Sequence, residues 1–233
     1  MSSFFLKIFA LIFMIIDHTG YVLFPDQIIF RIIGRLAFPL FAYQMAVGYS
    51  HTKNKPKHIL KLLLFAILCQ IPSNLMNALY STEISLNIIF TFVLALLVIM
   101  TIEKFPFLSK DENVLKINLN FKNFLITCLL SILLLLIGVH LNVDYSWYGI
   151  LLTVAFYFTL SNKTFSILCF FILLLLNLIV KADYMSLLAL ISIFDCVFIL
   201  FFNGKRGYKF SWIFYALYFL HFFPLLYIRH HII

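Results

Sequence analysis

The 233-residue chain is 64% hydrophobic and only 11% charged, with a mean hydropathy of +1.07. Soluble globular domains are nearer half apolar and a quarter charged, so a soluble enzyme is excluded and a polytopic membrane protein is expected. The formal net charge of +8 raises nucleic acid as a partner, but the lysines lie in short segments between apolar runs. There is no basic stripe interleaved with base-stacking aromatics, which argues for a lipid bilayer and against nucleic acid.

A membrane-spanning helix needs about 20 mostly apolar residues. Runs of that kind predict an all-α helical bundle of about nine transmembrane helices, at 4–24, 28–50, 59–79, 84–102, 123–140, 145–160, 164–181, 184–202 and 211–229. The first run lacks a small-residue cleavage site and carries "DH" near its end, so it reads as a retained helix and not a signal peptide. The sixth run is short for a span. The whole chain, 1–233, thus reads as a single integral-membrane domain with one polar cytoplasmic loop, 103–122, of little hydrophobic patterning.

Orientation follows from the basic residues. Lys53, Lys55 and Lys57 lie in the second loop; Lys104, Lys110, Lys116 and Lys122 in 103–122; Lys163 in the next basic loop; and Lys205, Arg206 and Lys209 in the last. The alternate loops hold Asp26, Glu83, Asp144 and Asp183, with Lys181 their only basic residue. Cytoplasmic loops carry the Lys/Arg excess, which places the N-terminus in the cytoplasm. A multi-pass protein of the cell membrane, of the bacterial inner-membrane kind, is the expected localisation.

Ionisable groups at membrane depth are costly and mark function by default. With the loops removed they are Asp17, His18, Arg31, Arg35, Asp195 and His221, with His140, Asp144 and Tyr145 at the outer boundary. At 1.5 Å per residue, Asp17 lies about 20 Å from the inner start of its helix, in the outer half of the bilayer. Arg31 and Arg35, four apart, share a helix face one and two turns below the outer end of the second helix. Tyr148 is one turn inside the sixth helix, and Tyr218 precedes His221 on one side of the last. The short connection between the first two helices makes them antiparallel neighbours, so Asp17 or His18 can approach Arg31 or Arg35.

A purely structural ion pair, Asp17 with either arginine, would fix helix register. It accounts less well for two arginines, an adjacent histidine and a second deep histidine together. Asp195, Asn87, Thr91, Asn177 and Gln70 are expected to hydrogen-bond between helices. His51 and His58, among lysines, and His230 and His231, at the C-terminus, are expected to be solvated. The four cysteines, Cys69, Cys128, Cys169 and Cys196, stand singly in apolar runs as small fillers, and no metal is expected. A histidine near a carboxylate makes a general base at neutral pH, and facing arginines stabilise an oxyanion, a thioester carbonyl or a phosphate. This inventory fits direct transfer of an activated group to a nucleophile. Two other classes remain open: a proton-coupled transporter using Asp17, His18 and Asp195 as relay, and a non-catalytic scaffold of a conjugation or secretion apparatus.

Five ordered segments resemble the TraX family, named for acetylation of conjugative pilin: "LKIFALIFMIIDHTGYVLFP", "RIIGRLAFPLFAYQMAVGYSHTKN", "NIIFTFVLALL", "NVDYSWYGILL" and "WIFYALYFLHFFPLLYI". The resemblance implies a multi-spanning membrane acyltransferase with acetyl-CoA as co-substrate. The matching positions are Asp17, His18 and His221 as catalytic residues, and Arg31, Arg35, Asp144, Tyr145 and Tyr148 as binding residues. The implied acceptor is an amine or hydroxyl of a peptide, lipid or glycan; in TraX itself it is the N-terminal amine of a pilin subunit. On this reading Asp17 orients His18 as the base, Arg31 and Arg35 hold the oxyanion or part of the CoA, and His221 and Tyr148 position the acceptor. Lys53, Lys55 and Lys57 offer charge for the nucleotide phosphates. The family often places a proline before the last-helix histidine, whereas here Pro224 follows His221.

Overall fold

The computed structural model describes residues 1–79, 85–110, 117–208 and 211–231; Glu83, Lys116 and Lys209 lie outside these. The helices are α1 (Ser3–Leu23), α2 (Ile28–Gly34), α3 (Ala37–Ser50), α4 (Lys55–Asn77), α5 (Ile88–Lys104), α6 (Phe121–His140), α7 (Ser146–Thr159) and α8 (Lys163–Lys181). They are followed by α9 (Tyr184–Leu188), a 3₁₀ turn (Ala189–Phe194), α10 (Asp195–Phe201), α11 (Ser211–Leu220) and α12 (Phe222–His231). Grouped by their breaks, these form nine helical segments among the described residues, at the nine positions the apolar runs predict.

Six segments are long and apolar enough to cross a membrane: α1, α2 with α3, α4, α6, α8, and the run from α9 to α10. The other three differ for local reasons. Helix α5 has 17 residues and closes on Glu103 and Lys104. Helix α7 has only 14 residues, about 21 Å of rise against a hydrocarbon core of ~30 Å. The last segment is interrupted at His221.

Two of the interruptions have the same cause. Proline has no N–H and its ring collides with the carbonyl four residues earlier. Pro39 is four residues after Arg35, where α2 ends and the chain tightens through Arg35 N–H to Ile32 O (3.2 Å) and Leu36 N–H to Ile33 O (3.2 Å). Pro224 is four residues after Leu220, where α11 ends. Both breaks fall beside a predicted site residue. The third break contains no proline; there the Ser192 hydroxyl donates to the Ala189 carbonyl at 2.6 Å, a local bond that competes with the helical ladder.

Loop 103–122, read as a polar stretch of little hydrophobic patterning, contains a short antiparallel ribbon of β1 (Leu108–Lys110) and β2 (Ile117–Leu119), with Leu108 opposite Leu119. The other regular elements among the described residues are helical. The core centres on α3, α5 and α7, with Tyr43, Tyr49, Leu96, Leu152 and Phe156 almost wholly enclosed. Helices α4, α6 and α8 turn large apolar residues outward, among them Ile71, Leu129, Leu136, Ile179 and Val180, as lipid-facing surfaces do.

Contacts at the two ends match the alternation of loop charge. At the basic end Lys55 bonds Glu103 at 2.5 Å and Tyr157 donates to Glu103. There too Lys163 donates to the Phe202 carbonyl (2.5 Å), and the Met1 amino group to the Phe201 carbonyl (2.6 Å). At the opposite end Leu86 bridges Val143, and Gln70 and Asn77 bond Ser85. As predicted, Asn87 and Gln70 hydrogen-bond between helices, through Asn87 Nδ2 to Gln70 Oε1 at 2.9 Å. Asp195 does not: it is fully buried and neither carboxylate oxygen has a hydrogen-bond partner. Asn177 Oδ1 is likewise buried without a partner.

Candidate functional site

Helices α1 and α2 meet through two glycines. A Cβ on Gly20 would lie 2.2 Å from the Phe30 Cβ, and one on Gly34 would lie 2.3 Å from the Asp17 Cβ and 2.1 Å from its Oδ1. Small residues let membrane helices approach closely, and this approach brings Asp17 against the arginines. Gly34→Ala is expected to push α1 from α2, costing about 1–3 kcal/mol as overpacking does. Gly48→Ala, where a Cβ meets nothing within 4 Å, is the control; thermal unfolding in detergent or lipid compares them.

The Asp17 carboxylate takes both arginines, Arg31 Nη1 at 2.7 Å and Arg35 Nη2 at 3.7 Å. The longer contact is not a hydrogen bond, so Arg35 Nη2 and Asp17 Oδ1 are buried and unpartnered. Arg35 Nε donates to the Arg31 carbonyl (3.3 Å), and Tyr145 lies beside its guanidinium. The Arg31 guanidinium stands over the Tyr21 ring at 5.2 Å. Arg31 thus hydrogen-bonds the carboxylate directly, whereas Arg35 Nη2 is left as a buried donor with no hydrogen-bond partner.

His18 faces elsewhere. Successive residues on a helix point about 100° apart, so Asp17 faces α2 while His18 faces α12. Its Nδ1 lies 2.6 Å from His221 Nε2, and the two rings stack at 4.9 Å. The expected Asp17–His18 pair is replaced by a histidine pair. His221 Nδ1 is 3.3 Å from the Leu217 carbonyl, an obligate acceptor, so Nδ1 carries the hydrogen and Nε2 accepts. His18 Nδ1 must then be the donor, which leaves the lone pair on His18 Nε2.

Tyr145 enters from the connection between α6 and α7. Three residues there, Asn142, Tyr145 and Ser146, have φ of 48°, 59° and 45°, a left-handed conformation costly for non-glycine residues and found where surroundings enforce it. The restraints are visible. Asp144 N–H donates to Leu86 O (2.9 Å) and Leu86 N–H to Asn142 O (3.1 Å). The Thr91 hydroxyl donates to Asp144 O at 2.5 Å, and Tyr145 stacks on Phe38 with centroids 3.8 Å apart. Tyr148, by contrast, is buried in the core beside Phe38.

A cavity of about 860 Å³ joins these groups to the other end of the molecule. At one end Asp17, His18, Arg31, Arg35, Asp144 and Tyr145 line it. Its middle is walled by Met14, Phe41, Met45, Phe65 and Tyr215, and its basic end by Ser3, Lys7, His51, His58 and Arg206. From Lys7 to Asp17 the rise along α1 is about 15 Å. His221 and Tyr148 are not on the wall; His221 backs His18 from behind. Of the residues missed by sequence reasoning, Lys7, Gln44 and Arg206 line the cavity, and so do His51 and His58, which were expected simply to be solvated. Only Lys7, ionisable inside an apolar run, carried a readable signal. Lys55, a candidate for phosphate, is committed to Glu103.

Among the described residues no group of three or more metal-ligating side chains forms. Comparison with known proteins gives a match to the TraX protein family model over residues 2–229. A probable fimbrial assembly protein FimC of Dichelobacter nodosus is 32% identical over 111 residues, 42% of this chain and 46% of that protein. An uncharacterised protein of Rickettsia prowazekii is 41% identical over 66 residues, 28% of this chain and 25% of that one. The matched stretches thus span less than half of either relative. No solved structure matches the chain. With the family model matching from residue 2 to residue 229, the chain belongs to the TraX family.

Proposed function

We propose that this membrane protein is an acyltransferase that moves an acetyl group from acetyl-CoA, entering from the cytoplasm, to an amine or hydroxyl presented at the outer half of the membrane. The cavity carries this reading: it supplies the route that a cytoplasmic thioester needs to reach a cluster about 15 Å deeper along α1. The protein sits as a multi-pass bundle in the cell membrane with its basic loops, and its N-terminus, in the cytoplasm.

The residues divide the reaction as follows. The acceptor attacks the thioester carbonyl carbon while His18 Nε2 takes its proton. Arg35 Nη2, the donor left unpartnered by Asp17, faces the developing oxyanion. Collapse breaks the carbon–sulfur bond, and His18 returns the proton to the thiolate, closing the balance. His221 holds the His18 ring through the Nδ1 bond, and Asp17 holds Arg31 and Arg35 in place. The acceptor is a peptide, lipid or glycan of the envelope; the fimbrial-assembly name of the Dichelobacter relative and the family's name favour a pilin-like peptide.

Mass spectrometry of envelope peptides, lipids and glycans tests this. A host lacking the protein is expected to lose an acetylated species that the wild-type chain restores and His18→Ala does not. An unchanged envelope, with proton-driven uptake by the purified protein, would favour a transporter instead. One observation supports that second reading: the α9–α10 segment is broken at the fully buried, partnerless Asp195, as discontinuous transporter helices are near their ion sites.

A further inference from the structure

The basic mouth of the cavity has a construction that the acyl-transfer chemistry alone does not require. Helix α1 begins with backbone N–H groups that have no partner within the helix. The 203–207 segment satisfies two of them: Ser3 N–H donates to Lys205 O at 2.8 Å and Phe4 N–H to Arg206 O at 3.1 Å. This strap puts Arg206 on the same cavity wall as Lys7, one turn further along α1, near enough for the two charges to repel. Like charges placed together are unfavourable unless an anion joins them. Among the described residues neither forms a salt bridge; the carboxylates that do, Asp17 and Glu103, are taken by Arg31, Arg35 and Lys55. Lys7 Nζ instead stands 5.9 Å over the Phe214 ring.

At the same end, the Ser3 hydroxyl donates to Gln44 Oε1, which fixes the amide so that Nε2 is left over. That Nε2 is buried without a partner, on a side chain 4% exposed that lines the cavity. A buried donor without an acceptor is costly and calls for one. His58 Nε2, also on the wall, is buried and unpartnered as well.

Resting on the acyl-transfer reading, we propose that Lys7 and Arg206 bind the phosphate groups of a phosphopantetheine thioester at the cavity mouth, and that Gln44 Nε2 donates to an amide carbonyl of its arm. Such a ligand has anionic charge at one end, peptide-like acceptors along its length and the reactive thioester at the other. Lys7, Arg206 and the Gln44 donor lie together at the basic end of the cavity, and the His18–Arg35 cluster lies at its other end. Lys53 and Lys57, outside its wall, have no part in it.

Direct binding to the full chain in lipid nanodiscs tests this without requiring turnover. Probes are coenzyme A, unphosphorylated pantetheine and a holo acyl carrier protein, which bears the same phosphorylated arm. The Lys7→Gln/Arg206→Gln double variant is expected to weaken phosphorylated probes by about tenfold or more, the scale of a charged hydrogen bond, and to spare pantetheine. Gln44→Leu is expected to weaken all three alike, and Lys53→Gln/Lys57→Gln none. Preferential binding of coenzyme A or of the carrier protein identifies the source of the arm. Wild-type affinity for coenzyme A and carrier protein in the double variant, an equal loss for pantetheine, or no binding of any probe to the wild type would overturn the assignment. Lys7- and Arg206-dependent binding without acyl transfer to any acceptor would leave the mouth standing and remove the acyltransferase reading.

Discussion

His18→Ala is expected to lower acyl transfer by about 10²–10⁴-fold, the range that a positioned general base contributes, with the folded yield close to wild type. The hydrogen-bond geometry makes the expectation specific. Because the Leu217 carbonyl accepts from His221 Nδ1 and His221 Nε2 accepts from His18 Nδ1, the lone pair is confined to His18 Nε2. His221→Ala removes the partner that fixes the tautomer and ring, so it is expected to reduce turnover less than His18→Ala and to alter the pH profile of what remains. Steady-state rates against pH, in protein reconstituted with a competent acceptor, separate the two. A His18→Ala rate equal to wild type would remove His18 from the chemistry.

The second large effect concerns stability. Asp17→Ala takes away the carboxylate that faces two guanidinium groups, both within 4 Å. Breaking a buried ion pair from one side costs about 3–5 kcal/mol. The side chains here keep 12–20% exposure, so a loss nearer ~2–3 kcal/mol is expected after screening. It should appear as a lower unfolding temperature and a shorter half-life on heating, since large membrane proteins unfold irreversibly. Combining Asp17→Leu with Arg31→Met and Arg35→Met is expected to recover part of the loss, because no unpaired charge remains. The pH profile of Asp17→Asn should follow wild type, since Asp17 does not touch His18. A shift as large as that of His221→Ala would restore the Asp17–His18 pair as the base.

Much of the fold is legible in the sequence because a bilayer demands long apolar runs, and those runs mark all nine segments. Loop charge likewise anticipates which loops share an end. The pairing of α1 with α2 is readable from their short connection, and with it the meeting of Asp17 with Arg31 and Arg35. Rotation about the helix axis is harder to read. Adjacency in "DH" suggests a pair, but the rotation between neighbours sends the two side chains to different helices. The breaks at Arg35 and His221 are legible in retrospect from Pro39 and Pro224, each four residues past the carbonyl it displaces. Gly34 gives no sign that Asp17 lies 2.1 Å from where its Cβ would be, because that depends on a neighbour 17 positions earlier in the chain. The cavity belongs to no single segment, and it emerges only when α1, α3, α4 and α11 are placed together.

The most direct test of the account supplies radiolabelled acetyl-CoA to one side of oriented proteoliposomes holding a competent acceptor. Donor on the face that carries Lys7 and Arg206 is expected to label the acceptor, and donor on the opposite face is not. Label appearing only from the opposite face, or from neither face while the acceptor is acetylated in the host without this protein, would contradict the account.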